Sequence, residues 1–236
     1  MFKPNPYVNT LLQLLLPIAI YLGLGSYWLL VSIILFLFYS IVINNIILHR
    51  YFTHRHFKTS PLMEKLFLFL VVISGLGSPF SYAAVHITHH IHSDTDKDPH
   101  GPKAGIKSML FLFHRYGFVE ETIKDNKYCN LLYEKHKFIQ EYYLLLLGSS
   151  AICLYLINFN LFLYGWLIPV SLLQWGVAIG VYLQHVGGKI NNFYYSLFGL
   201  GDELHRHHHA DPKLINHALN KYQIDFTYQI SRLFSR

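Results

Sequence analysis

Charged residues are scarce in this chain. They fill 14% of its 236 positions, where soluble domains carry about 25%. A surface solvated on every side is therefore excluded for much of the molecule. Cysteine is nearly absent: Cys129 and Cys153 cannot build a disulfide framework or a thiolate metal site. The zinc-hydrolase motif H-E-x-x-H does not occur, and neither does a pair of Glu-x-x-His motifs, which hold carboxylate di-iron sites in soluble bundles. No leader with a small-residue cleavage site precedes the first apolar stretch, so that stretch reads as a retained anchor.

Apolar residues take the place of charge. The chain is 53% hydrophobic and 17% aromatic, with a mean hydropathy of +0.29. That composition belongs to membrane proteins. The 19 Lys and Arg outnumber the 13 Asp and Glu, giving a net charge of +6. Such a balance suits a membrane surface or an anionic partner. The apolar content is too high for a nucleic-acid module, and no nucleic-acid partner is expected.

The apolar stretches predict an all-α membrane protein, a single integral-membrane domain over residues 1–236. Four spans are expected, at about 11–25, 27–48, 142–159 and 161–183, since a bilayer takes about 20 apolar residues. The shorter run within 62–80 reads as a helical segment lying at or dipping into the interface. Every Lys, Arg, His, Asp and Glu falls outside the four spans. The spans then form two hairpins with chargeless outer turns. The segments at 84–140 and 186–236, with both termini, are expected on the basic, cytoplasmic side.

Sixteen histidines are the anomaly. They concentrate in HRYFTH (49–54), in HITHH (86–90) followed by DTDKDPH, and in LHRHHHADP (204–212), with His185 closing the fourth span. Two of these carry H-x-x-H-H, a pattern that chance would supply about 0.07 times in a chain of this composition. Positions i, i+3 and i+4 share a helix face, so each box can offer three imidazoles to one small volume. His49 and His54 are five apart, about 140° around an α-helix. They meet at one site only if the helix end unwinds, or else they face different metals. Neutral imidazole suits iron, zinc and copper. Eight or nine are too many for one ion and suit two, held in a histidine-rich cap on the rim of the bundle. Isolated histidines (His56, His92, His114, His136, His217) are expected to be solvated, and His207 faces away from its stripe. Phe80, Tyr82, Trp166, Trp175 and Tyr182 are expected to pack or to sit at the interface.

The order and spacing of these boxes resemble the membrane fatty acyl desaturases, of the stearoyl-CoA and bacterial delta-9 kind. The likeness runs from about Asn44 to the C-terminus, including NKYQIDFTYQISRLF (220–234). The resemblance implies two iron ions held by His49, His54, His86, His89, His90, His185, His205, His208 and His209, with O2 as co-substrate. It implies a fatty acyl substrate, as acyl-CoA or acyl-lipid, desaturated with electrons from a ferredoxin, cytochrome b5 or rubredoxin-like donor. Zinc competes for such sites in a purified sample. Two departures stand out. Val181 occupies a position where the family often has Asn, and the third box reads HRHHH where HNxHH is more usual, making His207 an extra donor candidate. Asp94, Asp98, Asp202, Glu203 and Asp211 are the candidates to orient the imidazoles through their free N–H groups. Helix capping is the rival role for Asp94, Asp98 and Asp211. The rival functions are hydroxylation by the same superfamily, a histidine-rich metal transporter or sensor, and a zinc hydrolase. The absence of ionisable residues within the spans argues against transport.

Overall fold

The computed structural model describes residues 6–101, 103, 105, 117–185 and 204–235. Among the described residues all regular elements are helical. The order is α1 (Pro6–Gly23), α2 (Trp28–Thr53), α3 (Pro61–Ser74), α4 (Pro79–His92), α5 (Gly117–Ile123), α6 (Lys127–Lys135), α7 (Lys137–Ile157), α8 (Phe159–Gln184), α9 (His205–Ala210) and α10 (Phe226–Ser231).

Three helices are long and apolar enough to cross a membrane: α2, α7 and α8, with 26, 21 and 26 residues. A fourth span exists if α3 and α4 count as one broken helix. α1 is apolar but shorter, so the expected first span at 11–25 is not among those of spanning length. The segment expected at 62–80 is instead two helices meeting at 77°, the second running on to His92. Local chemistry makes that corner. Ser60 and Ser78 each accept a backbone N–H of the next turn, and Pro61 and Pro79 open the helices. Between them Gly75 takes φ +75°, a left-handed stop suited to glycine.

α2 also outruns its expected end at residue 48, continuing through His49 and Arg50 to Thr53. Polarity alone suggested a boundary there. The helix continues because other parts of the chain cover these polar side chains; both are almost fully buried. Polar groups stitch the apolar bundle together at several points. The Ser32 hydroxyl on α2 donates to the Tyr164 carbonyl of α8 at 2.9 Å. Trp166 Nε1 on α8 donates to the Ile73 carbonyl of α3 at 2.8 Å, and Trp175 Nε1 to the Gln13 carbonyl of α1 at 3.2 Å. In an apolar solvent such bonds supply much of the specificity of helix pairing. α2 and α8 run in the same direction, and both end at the histidines.

Candidate metal centre

Four elements bring the histidines together. α2 supplies His49, with His54 as its cap; α4 supplies His86, His89 and His90; α8 is capped by His185; α9 supplies His205, His208 and His209. Their ring nitrogens form two groups. The first holds His49, His54, His86, His90 and His208, and the second His89, His185, His205 and His209. Within each group the donor atoms lie within 4.8 Å of one another.

Helix winding decides which residue joins which group. The second half of α2 is wound wider than an α-helix, with i→i+5 hydrogen bonds. The His54 N–H donates to the His49 carbonyl at 3.0 Å. That wider turn brings two residues five apart to the same group, with ring centroids 4.8 Å apart.

The two H-x-x-H-H boxes do not each fill one volume, as their shared stripe suggested. Each divides. His86 and His90 join the first group while His89 joins the second; His205 and His209 join the second while His208 joins the first. The i+3 and i+4 residues lie about 100° apart on a helix. A stripe facing a pair of centres therefore serves one with each flank.

The donor spacing tests whether a metal fits. In the first group Nε2 atoms are 3.0 Å apart for His49–His208 and His54–His86, and 2.9 Å for His86–His90 and His90–His208. In the second they are 2.9 Å for His185–His205 and 3.3 Å for His89–His209. With metal–nitrogen bonds of about 2.1 Å, donors at right angles lie about 3.0 Å apart and tetrahedral donors about 3.4 Å. The first group therefore has the edges of a five- or six-coordinate site. Four such edges cannot all be hydrogen bonds, because each Nε2 has either one proton or one lone pair, and those of His86, His90 and His208 each lie on two edges. Burial first, and then the imidazoles of His49, His54 and His90, hold His208 well below the usual histidine value. It is thus neutral, the form a metal takes.

Outer partners orient several rings. His89 Nδ1 donates to both Asp98 oxygens at 2.9 and 3.0 Å, and His185 Nδ1 to Asp94 Oδ1 at 3.1 Å. The Ser93 hydroxyl lies 3.3 Å from His209 Nδ1. Asp98 is completely buried and also accepts the backbone N–H groups of Asp94 and His100. Burial, opposed by these donors, pushes its carboxyl up to about 6. Asp94 adopts φ +59°, a left-handed conformation that Asp tolerates. Asp211 is exposed and accepts the Lys213 N–H in a turn. Asp202, Glu203 and His114 lie outside the described residues.

Three histidines expected to be solvated are buried: His56, His136 and His217. His56 Nε2 lies 2.9 Å from the Pro212 carbonyl, and His136 Nε2 is 3.5 Å from Glu64. His92 is half-buried, 3.2 Å from the Thr122 hydroxyl. His207 Nδ1 donates to the His217 carbonyl rather than joining either group. Sequence reasoning assigned Tyr82 a packing or interface role; its ring stacks on His86 while its hydroxyl donates to Asn44. That reasoning missed the buried ion pair of Arg50 and Asp225. A helix-capping Asp before an apolar run was a readable signal at Asp225; its partner 175 residues away was not.

The fatty acid desaturase family model matches residues 26–225. Delta-9 acyl-lipid desaturase 1 of Arabidopsis thaliana is 29% identical over 210 residues, which cover 78% of this chain and 65% of that protein. Delta-9 acyl-lipid desaturase 2 of the same plant is 26% identical over 223 residues, 84% of this chain and 70% of that protein. The sn-1 stearoyl-lipid 9-desaturase of Anabaena variabilis is 27% identical over 210 residues, 78% and 72% of the two chains. This chain thus spans roughly two thirds of the length of these relatives.

Proposed function

The chain belongs to the fatty acid desaturase family, and from that premise we propose that it is an oxygen-dependent desaturase of a fatty acyl chain with one iron in each histidine group. The observation that carries this reading is the sorting of nine imidazoles into groups of five and four with metal-like spacing. Imidazole donors without carboxylate or thiolate suit iron, and zinc would compete for the same positions in a purified sample. The relatives are named as acting at position nine of acyl lipids. A saturated acyl chain carried by lipid is accordingly the first substrate to test, with acyl-CoA as the second.

The reaction removes two hydrogens from adjacent methylenes. One O2, two electrons and two protons accompany it, giving a carbon–carbon double bond and two waters. Bound iron would supply the oxidising power that no side chain has. The protein's own part is orientation. Asp98 and Asp94 keep the Nδ1 proton on His89 and His185, which leaves each Nε2 free as a donor. Burial of His49, His89, His185, His205 and His208 keeps bulk water away. The two electrons come from an external carrier such as a ferredoxin, cytochrome b5 or rubredoxin-like protein, acidic enough to meet the chain's basic charge.

In the bilayer we read α1 with α2, and α7 with α8, as two hairpins. α2 and α8 run in parallel and end at the same face, with the histidines, the basic segments and both termini. The positive-inside bias assigns that face to the cytoplasm. An acyl chain then reaches the histidines from the lipid side.

The test is the fatty acid profile of membranes from cells making this chain, beside a His89→Ala/His208→Ala variant. A new monounsaturated acid that vanishes in the variant is expected. A hydroxy acid in its place would move the chemistry to hydroxylation. No new product, with iron bound and a matched donor co-expressed, would contradict desaturation of the acyl chains present.

A further inference from the structure

Arg50 follows the first histidine of the centre, and its side chain is 1% exposed. A buried guanidinium must be paired, and this one is paired to a distant segment. Arg50 Nη2 donates to both oxygens of Asp225, at 2.9 and 2.8 Å, and Nη1 to the Ile215 carbonyl at 2.6 Å. It also lies 3.1 Å from His217 Nδ1. Asp225 accepts in addition from the His217 N–H, the Thr227 hydroxyl and the Tyr228 N–H, which caps α10. His217 turns back toward α9. Its carbonyl accepts from His207 Nδ1 at 2.9 Å, and its ring centroid is 4.8 Å from that of His208.

His208 needs such a neighbour. His89, His185 and His209 have Asp98, Asp94 and Ser93 at their Nδ1 atoms. His208 Nδ1 is buried and makes no hydrogen bond among the described residues. Its orientation therefore depends on packing. A buried ion pair is also a poor way to gain stability, because well-packed apolar residues of similar volume are often as stable or more so.

We propose that Arg50, Asp225 and His217 are positioning residues that set the place of His208 in the five-imidazole group. They join α2, which carries two donors of that group, to α9, which carries a third. The inference rests on reading the two groups as metal sites.

The test uses full-length protein loaded with 57Fe, examined by iron analysis, melting in detergent and Mössbauer spectroscopy. Wild type should hold two irons with one quadrupole doublet per site, and His208→Ala should identify the doublet of the first group. The Arg50→Met/Asp225→Leu variant removes both charges together, so no buried charge is stranded. It leaves the Ile215 carbonyl and the His217 and Tyr228 N–H groups without those partners, so it should melt below wild type, yet alter the same doublet as His208→Ala and release that iron to chelator at least ~10-fold more readily. The second doublet should not change. An unaltered spectrum with two irons would overturn the proposal. Should the double variant fail to fold, Asp225→Glu decides: it keeps the charge and displaces Arg50 by one methylene. It too should perturb the first doublet alone, and a wild-type spectrum would overturn the proposal. Wild type that binds no iron would instead overturn the metal reading beneath it.

Discussion

Asp98→Asn should weaken the four-imidazole group while sparing the other. The carboxylate accepts His89 Nδ1 at 2.9 and 3.0 Å and the backbone N–H groups of Asp94 and His100 at 2.9 and 3.1 Å. All of this occurs at zero solvent exposure. The amide keeps one acceptor oxygen but turns an NH2 group toward donors. One buried N–H then loses its acceptor, a cost of about 1–3 kcal/mol in stability. Partners behind metal-bound histidines are worth about 10–100-fold in metal affinity, or roughly 1.4–2.7 kcal/mol. Chelator competition followed by metal counting reads the effect. The variant should lose one metal per chain at a ~10–100-fold lower chelator concentration, with the other retained as in wild type. Equal retention of both metals and an unchanged melting temperature would refute the orienting role of Asp98.

Other outcomes follow from the same structure. Gly101→Ala sets a new methyl against the Asp98 carboxylate, so it should show the same selective metal loss without removing a charge. Gly75→Ala strains φ +75° and brings its Cβ to 3.0 Å from Leu12 and 3.2 Å from Val170 and Gln174. A loss of about 1–3 kcal/mol is expected from thermal melting, and wild-type stability would contradict a rigid corner between α3 and α4. Burial raises the Asp225 carboxyl, but the Arg50 guanidinium and the His217 and Tyr228 N–H groups outweigh this and hold it below the ordinary range. Because the folded value is depressed, its contribution is complete above an unfolded pKa of about 3.9 and is lost as pH falls through the folded value. Below about pH 4, wild type should therefore lose melting temperature faster than Arg50→Met/Asp225→Leu, and parallel curves would refute this.

Much of the centre was legible in the sequence because helix geometry is local. The i, i+3, i+4 spacing of His86, His89 and His90, and of His205, His208 and His209, marks each box as a single face. What spacing could not convey was the relation between boxes. The division of each triplet between two groups depends on α4 and α9 both facing a pair of centres. The meeting of His49 with His54 depends on wide winding of α2, which no residue type there announces. Asp94 and Asp98 were foreseeable because they follow their box at turn distance. Arg50 and Asp225 were not, since charge normally signals solvent and their pairing joins opposite ends of the chain. The start of α1 was not legible either: the helix begins at Pro6, before the apolar run at 11–25, and packs along α8.

Under the proposed function, nine imidazoles hold two irons that desaturate an acyl chain. Purified protein with two irons per chain, supplied with a saturated acyl lipid, a reductant and O2, tests it most directly. One new double bond is expected for each O2 and each pair of electrons consumed. Oxygen consumed by the two-iron protein with every acyl lipid and acyl-CoA offered recovered unchanged would contradict it.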